Sequence, residues 1–182
     1  MSIQHNQIVD ADLHEAKGIA SASTGTVLTA VSNVSTWRSA ATITWLVEQT
    51  TTSGTAFDFT GIPSWAREIH VVLNGCSLSG TDVFHIQLGD SGGIETSNYK
   101  GAGLTSAFLA GGGTAVSTYL IYATIQNAGS NDWAYRMSGI SSGGIVMASA
   151  GFKGLSDTLT QVRVTRSGTN TFDAGSILVG YR

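Results

Sequence analysis

From about residue 41 onward, apolar and polar positions alternate with a period of two, in short runs separated by turn residues. Ile43, Trp45 and Val47 alternate with Thr42, Thr44 and Leu46, and this first run ends in Thr50, Thr51, Thr52, Ser53 and Gly54. Phe57 and Phe59 flank Asp58, after which Gly61-Ile62-Pro63 turns the chain. Ile69, Val71 and Leu73 share one face of a half-buried strand, with His70 and Asn74 on the other. After Ser79-Gly80-Thr81-Asp82, Phe84, Ile86 and Leu88 point one way and His85 and Gln87 the other. Residues 119–125, 133–137, 159–165 and 176–181 continue the series. Some runs are apolar on both faces, which predicts a sheet covered by the core on one side and by a neighbouring subunit on the other.

Strands at this spacing predict an all-β fold: a single antiparallel β-sandwich over residues 41–182, jelly-roll-like because the Cys-Trp-Cys pattern of immunoglobulin domains is absent. No capped amphipathic helix is evident. Ser53-Gly54-Thr55, Ser79-Gly80-Thr81 and Ser167-Gly168-Thr169 each precede a Phe by two or three residues, a recurring hairpin corner and not a repeat of domain size. The glycine-rich piece from Gly101 to Gly113 reads as the longest irregular loop, and it lacks the Lys and Ser/Thr of a phosphate-binding loop.

Residues 1–40 have a different texture. They are polar and rich in Ala, Ser, Thr and Gly, with no sustained period, so they build no core of their own. Two readings stand: an extended arm that orders on a partner, and a disordered leader. The arm is favoured by the cluster Asp10, Asp12, His14, Glu15 and Lys17 with small apolar anchors beside it, because plain linkers seldom carry one. Its expected contact residues are Ile8, Val9, Asp12, Leu13, His14, Glu15, Lys17 and Ile19, with Trp37 packing back on the body. Asp10, Asp12 and His14 share one face of an extended strand, yet no loop glycine or distant ligand completes a coordination shell, so no metal is expected.

Composition excludes several classes. Charged residues make up only 12% of the 182, and 42% are hydrophobic, enough for one core under a neutral, hydroxyl-rich surface. The formal net charge of −3 lacks the basic excess that binding a phosphate backbone needs, so no nucleic-acid partner is expected. No run of eighteen apolar residues occurs, and the first residues lack a basic region followed by an apolar stretch; neither membrane insertion nor a secretory signal is expected. Cys76 is the only cysteine, which rules out an intramolecular disulfide and predicts a small apolar filler at a strand end.

Residues 89–93 spell Gly-Asp-Ser-Gly-Gly, the nucleophile motif of chymotrypsin-like proteases. A serine nucleophile needs a His base and an Asp to orient it. In that chain order the base would be His5, His14, His70 or His85, and none stands in the required context. The motif is therefore expected to be turn chemistry, with glycines in left-handed conformations and Asp or Ser bonded to the local backbone. No catalytic residue, enzyme activity or cofactor is expected.

The stretches Phe57-Asp58-Phe59-Thr60-Gly61-Ile62-Pro63-Ser64-Trp65, Glu68-Ile69-His70-Val71 through Asn74-Gly75, Ser77-Leu78-Ser79-Gly80-Thr81-Asp82, Gln87 through Thr96, and Thr171-Phe172-Asp173-Ala174-Gly175-Ser176-Ile177 resemble the β-domain of tailed-bacteriophage virion surface proteins. Such domains occur in head-fibre and capsid decoration proteins and in tail-fibre tips. The resemblance covers roughly residues 48–182. Asp12 through Ala20, with Gly25-Thr26-Val27 and Trp37, is similar to the N-termini of capsid-attached phage proteins, with Ala16 where Pro would be expected. The resemblance implies a homotrimer on the capsid surface of the virion, its arm docked on the major capsid protein, stabilising the shell or offering a weak adhesive surface. The alternative it implies is a tail-fibre tip that recognises a host surface glycan or protein. There Trp65, Tyr99, Trp133 and Tyr135 would stack on sugar rings, unless they serve as core or interface fillers.

Overall fold

The computed structural model describes residues 26–31, 34–39, 42–102 and 104–182. The chain divides into two units, Met1–Thr42 and Ile43–Arg182. In the first, β1 (Thr26–Val31) and β2 (Val34–Ser39) pair antiparallel, Leu28 opposite Trp37. A hairpin therefore stands at the end of a segment whose sequence shows no sustained period. Ile8, Val9, Asp12, Leu13, His14, Glu15, Lys17 and Ile19 lie outside the described residues.

The second unit is an all-β sandwich. Its strands are β3 (Thr44–Trp45), β4 (Gln49–Thr50), β5 (Ala56–Thr60), β6 (Glu68–Leu78), β7 (Val83–Asp90), β8 (Gly93–Ile94), β9 (Phe108–Gly112), β10 (Tyr119–Gly129), β11 (Asp132–Ser141), β12 (Val146–Gly154), β13 (Gln161–Arg166) and β14 (Phe172–Tyr181). The seven-stranded sheet runs β12-β11-β10-β6-β14-β3, with β4 also on β14; the five-stranded sheet runs β5-β13-β7-β8, with β9 also on β7. Every pairing is antiparallel. The chain changes sheet from β4 to β5, β5 to β6, β6 to β7, β9 to β10, β12 to β13 and β13 to β14, while β10, β11 and β12 form a meander within one sheet.

The alternation in the sequence explains the core. Ile69, Val71 and Leu73 of β6 stand opposite Ile125, Ala123 and Ile121 of β10 and face inward. From the other sheet Phe84, Ile86 and Leu88 of β7 and Val162 and Val164 of β13 meet them. Aromatic pairs join the two layers: Phe84 stands edge-on to Tyr119 at 5.6 Å, and Phe108 stacks on Tyr135 at 4.4 Å. Each such buried side chain stabilises the fold by about 1.5–3 kcal/mol.

Two expectations change, and one strand goes beyond them. The first run, Thr42 to Val47 and on to Thr50, does not form one strand. It breaks into β3 and β4 on the sheet edge, Trp45 and Val47 are exposed, and Leu46 packs against the core. The supposed loop Gly101–Gly113 contains β9, whose phenylalanine, Phe108, is buried. And β12 forms an entire edge strand from small residues that carry no clear alternation.

Candidate interaction face and the interlocked turn

The Gly-Asp-Ser-Gly-Gly stretch is the turn between β7 and β8. Asp90 is the last residue of β7, and its Oδ1 accepts the Gly92 N–H at 2.8 Å. Its Oδ2 accepts from the Ser156 hydroxyl at 2.7 Å, which ties the turn to the connection between β12 and β13. The Ser156 hydrogen bond and the Gly92 N–H hold the Asp90 carboxyl below its usual range. Ser91 is exposed at the tip. The other groups around Asp90 are Glu95, the Asp157 backbone and Gln161, which donates to the Asp90 carbonyl; among the described residues no histidine bonds to it. His70 and His85 lie in different sheets.

Just past the turn, Glu95 accepts from the buried ammonium of Lys153 on β12 and, through Oε1, from the Ser156 N–H at 2.7 Å. The ammonium also donates to the Gly154 carbonyl at 2.8 Å and lies 5.3 Å from the centroid of the Tyr99 ring. Burial would raise the Glu95 carboxyl, but the bonds from Lys153 and Ser156 outweigh it and the result is lowered. The Tyr99 hydroxyl receives the Leu88 N–H at 2.7 Å and donates to the Glu95 carbonyl at 3.0 Å. This network knits the two sheets together at one end. It is structural chemistry, with its polar groups satisfied by one another.

The three Ser-Gly-Thr corners also meet. Gly54 accepts the Phe172 N–H, Ser79 bonds the backbone of Thr171, Asp82 accepts the Asn170 N–H at 2.8 Å, and Ser167 Oγ accepts the Val83 N–H at 3.1 Å. Cys76 is fully buried near the end of β6, its thiol donating to the Ser176 carbonyl at 3.2 Å and pushed up by burial.

The register of the seven-stranded sheet orders its outer face into rows. Val146, Ile140, Leu120 and Asn74 form the first, and Ala148, Ser138, Tyr122, Val72 and Leu178 the second. Ala150, Arg136, Thr124, His70, Gly180 and Trp45 form the third, and Ala134, Gln126 and Glu68 stand in the fourth. One end of this face is thus apolar and the other polar. At the apolar end Leu120, Ile140 and Val146 are exposed, Val146 by 77%, and Ile145 beside them is exposed too. Next to this patch β12 is an edge: opposite β11, the one backbone pairing among the described residues is Lys100 with Phe152.

At the other end, His70 stands on the outer face opposite Ile69 and Val71, as the alternation predicts, and is buried there. Its Nδ1 bonds the Tyr122 hydroxyl, its Nε2 lies 3.0 Å from Glu68 Oε1, and the Trp45 ring stands 6.2 Å away. Trp45 rests on Gly180, where an added Cβ would come within 2.5 Å of the indole. Burial lowers the His70 pKa; Glu68 opposes this and Arg182 adds to it. On the five-stranded sheet His85 is also buried and lowered by burial, with its Nε2 unbonded. Of the four aromatics expected to stack on sugars, Tyr99, Trp133 and Tyr135 belong to the core, and only Trp65 is exposed. The outer-face aromatics that sequence reasoning missed are Trp45 and Tyr122, 42% and 43% exposed.

No group of three or more His, Cys, Asp or Glu among the described residues could hold a metal ion. No family model, curated protein or solved structure matches the chain.

Proposed function

We propose that this chain is a structural virion protein of a tailed bacteriophage, attached to the capsid exterior as a decoration or head-fibre protein and working as a homotrimer. The observation that carries the reading is the bare apolar end of an otherwise well-tied sandwich: Leu120, Ile140, Ile145 and Val146 beside the edge of β12. An exposed apolar patch next to a strand edge paired only at Phe152 among the described residues is what lateral contacts between copies consume, and closed symmetry is the usual way to bury it. The stretches between residues 57 and 177 that resemble virion β-domains supply the biological setting. Within that setting the residues around Asp12–Ile19 dock on the major capsid protein, and three arms on one trimer multiply a weak contact into a firm one. The outward domain stabilises the shell and offers an adhesive surface to the host.

The test is mass spectrometry of purified virions together with a binding assay on heads lacking the protein. The protein should be present in the particles, and removing residues 1–20 should abolish its return to heads. Absence from virions, or full binding by the truncated chain, would refute the proposal.

A further inference from the structure

Two cross-strand pairs stand side by side on the outer face of the seven-stranded sheet, Tyr122 opposite Ser138 and Thr124 opposite Arg136. Together with Met137 they line a depression of about 210 Å³. Its chemistry is mixed: one aromatic ring, two hydroxyls and a guanidinium. Arg136 is exposed, and its Nη2 donates to the neutral Gln126 Oε1 at 2.7 Å. Among the described residues no carboxylate pairs with it, whereas Arg163 has Asp58 and Arg182 has Glu68. Glu68 on this face is engaged by Arg182 and Gln126, and Asp132 stands four residues before Arg136 on the same face of β11.

The ring of Tyr122 is held in place from behind. Its hydroxyl is bonded to His70, whose buried ring lies between Glu68 and Trp45. A ring anchored in this way offers its exposed surface without losing further freedom on binding, which is the requirement for a stacking platform.

We infer that this depression binds one carboxylate-bearing pyranose of a surface glycan. The C–H face of the sugar stacks on Tyr122, its hydroxyls exchange hydrogen bonds with Thr124 and Ser138, and its carboxylate takes the unused N–H groups of Arg136. A neutral sugar makes the first two contacts and leaves the guanidinium unanswered, so the acidic sugar is preferred. The inference deepens the adhesive part of the proposed function and rests on that reading only for where the glycan is met. Tyr122 and Ser138 also border the apolar patch of Leu120, Ile140 and Val146, while Thr124 and Arg136 stand one row further from it.

The experiment is an NMR titration of the full chain with glucuronic acid, N-acetylneuraminic acid and glucose, following the backbone amides of Tyr122, Thr124, Arg136 and Ser138. At least one acidic sugar should shift these amides at lower concentration than glucose, and which acid does so identifies the source. Arg136→Gln should cost the acidic sugar about tenfold in affinity and leave glucose unchanged. Tyr122→Ala should abolish both, while Tyr122→Phe should keep stacking and weaken binding through the lost His70 bond. Arg136 and Tyr122 are exposed, so their variants are expected to fold, which circular dichroism checks. No shift with any sugar up to its solubility limit, or an affinity for acids indifferent to Arg136→Gln, would overturn the inference. Those outcomes leave the presence of the protein in virions untouched, and that is tested separately.

Discussion

Lys153 and Glu95, 58 residues apart in sequence, form an ion pair that joins edge strand β12 of one sheet to the segment following the β7–β8 turn of the other. The ammonium of Lys153 is 1% exposed and the carboxylate of Glu95 is 21% exposed. Removing Glu95 leaves the buried ammonium of Lys153 without its carboxylate, which costs about 3–5 kcal/mol. Glu95→Leu should therefore lower unfolding stability by that order in urea denaturation, and Lys153→Met by less, because Glu95 keeps the Ser156 N–H. The double variant Lys153→Met with Glu95→Leu should recover much of the loss, because a buried pair exchanged for apolar side chains is often near neutral. A single variant as stable as the parent would contradict the tie.

The Asp90 turn gives a contrast between neighbours. Asp90→Ala removes the bonds to Gly92 and Ser156 and should cost about 1 kcal/mol or more. Ser91→Ala, at the exposed tip, should stay within about 0.5 kcal/mol of the parent. Should the protein show any hydrolytic activity, its loss in Ser91→Ala would restore the protease reading that the geometry of Asp90 argues against.

Acid should weaken the fold in two steps. His70 and His85 have folded pKa values below their ordinary 6.5, so between that value and the folded one the unfolded chain binds more protons. Their contribution is complete above about pH 6.5 and declines as pH falls toward the folded values. The Glu95 and Asp90 carboxyls are also lowered, so their contribution is complete above about pH 4.5 and is lost as pH falls through the folded values. Thermal midpoints measured from pH 8 to 3 should fall in both windows, and His85→Gln should flatten the upper one. A midpoint that does not change between pH 7 and 5 would contradict the burial of both imidazoles.

Gly175 occupies an irregular stretch of the β14–β6 ladder with φ of +91°, and a Cβ there would lie 2.5 Å from the backbone of Gly75 and Cys76. The β6 backbone has no rotamer to give, and the left-handed conformation adds its own strain. Gly175→Ala should cost roughly 2 kcal/mol or more by chemical denaturation. A neutral result would mean that this irregularity is not the one described.

Much of this fold is legible in the sequence, and the rest is hidden for identifiable reasons. Ile69-His70-Val71 and Phe84-His85-Ile86 declare their strands because a single buried face imposes period two. β9 is masked by Gly111 and Gly112, which read as loop, and β12 by Ala148, Ser149, Ala150 and Gly151, too small to show a face. Tyr135 in the core and Tyr122 on the surface belong to adjacent strands with the same alternation, so only the register tells them apart. The same limit applies to function. The depression at Tyr122 and Arg136 depends on which residues stand opposite each other across β10 and β11, and no spacing along the chain encodes that.

The apolar end of the outer face also makes a claim about assembly. Ile140→Lys places a charge in the patch formed by Leu120, Val146 and its own side chain. Light scattering after size exclusion should show a trimer for the parent and a monomer for the variant, with unchanged circular dichroism. A parent that is monomeric at micromolar concentration would remove the argument for a copy interface here.

Cryo-electron microscopy of the intact phage particle, with density for the 41–182 sandwich located, tests the central proposal most directly. The account expects trimeric density standing on the shell, Leu120, Ile140 and Val146 turned toward neighbouring copies, and residues 8–19 threaded along capsid subunits. Density at the tail, or none on the particle, would contradict it.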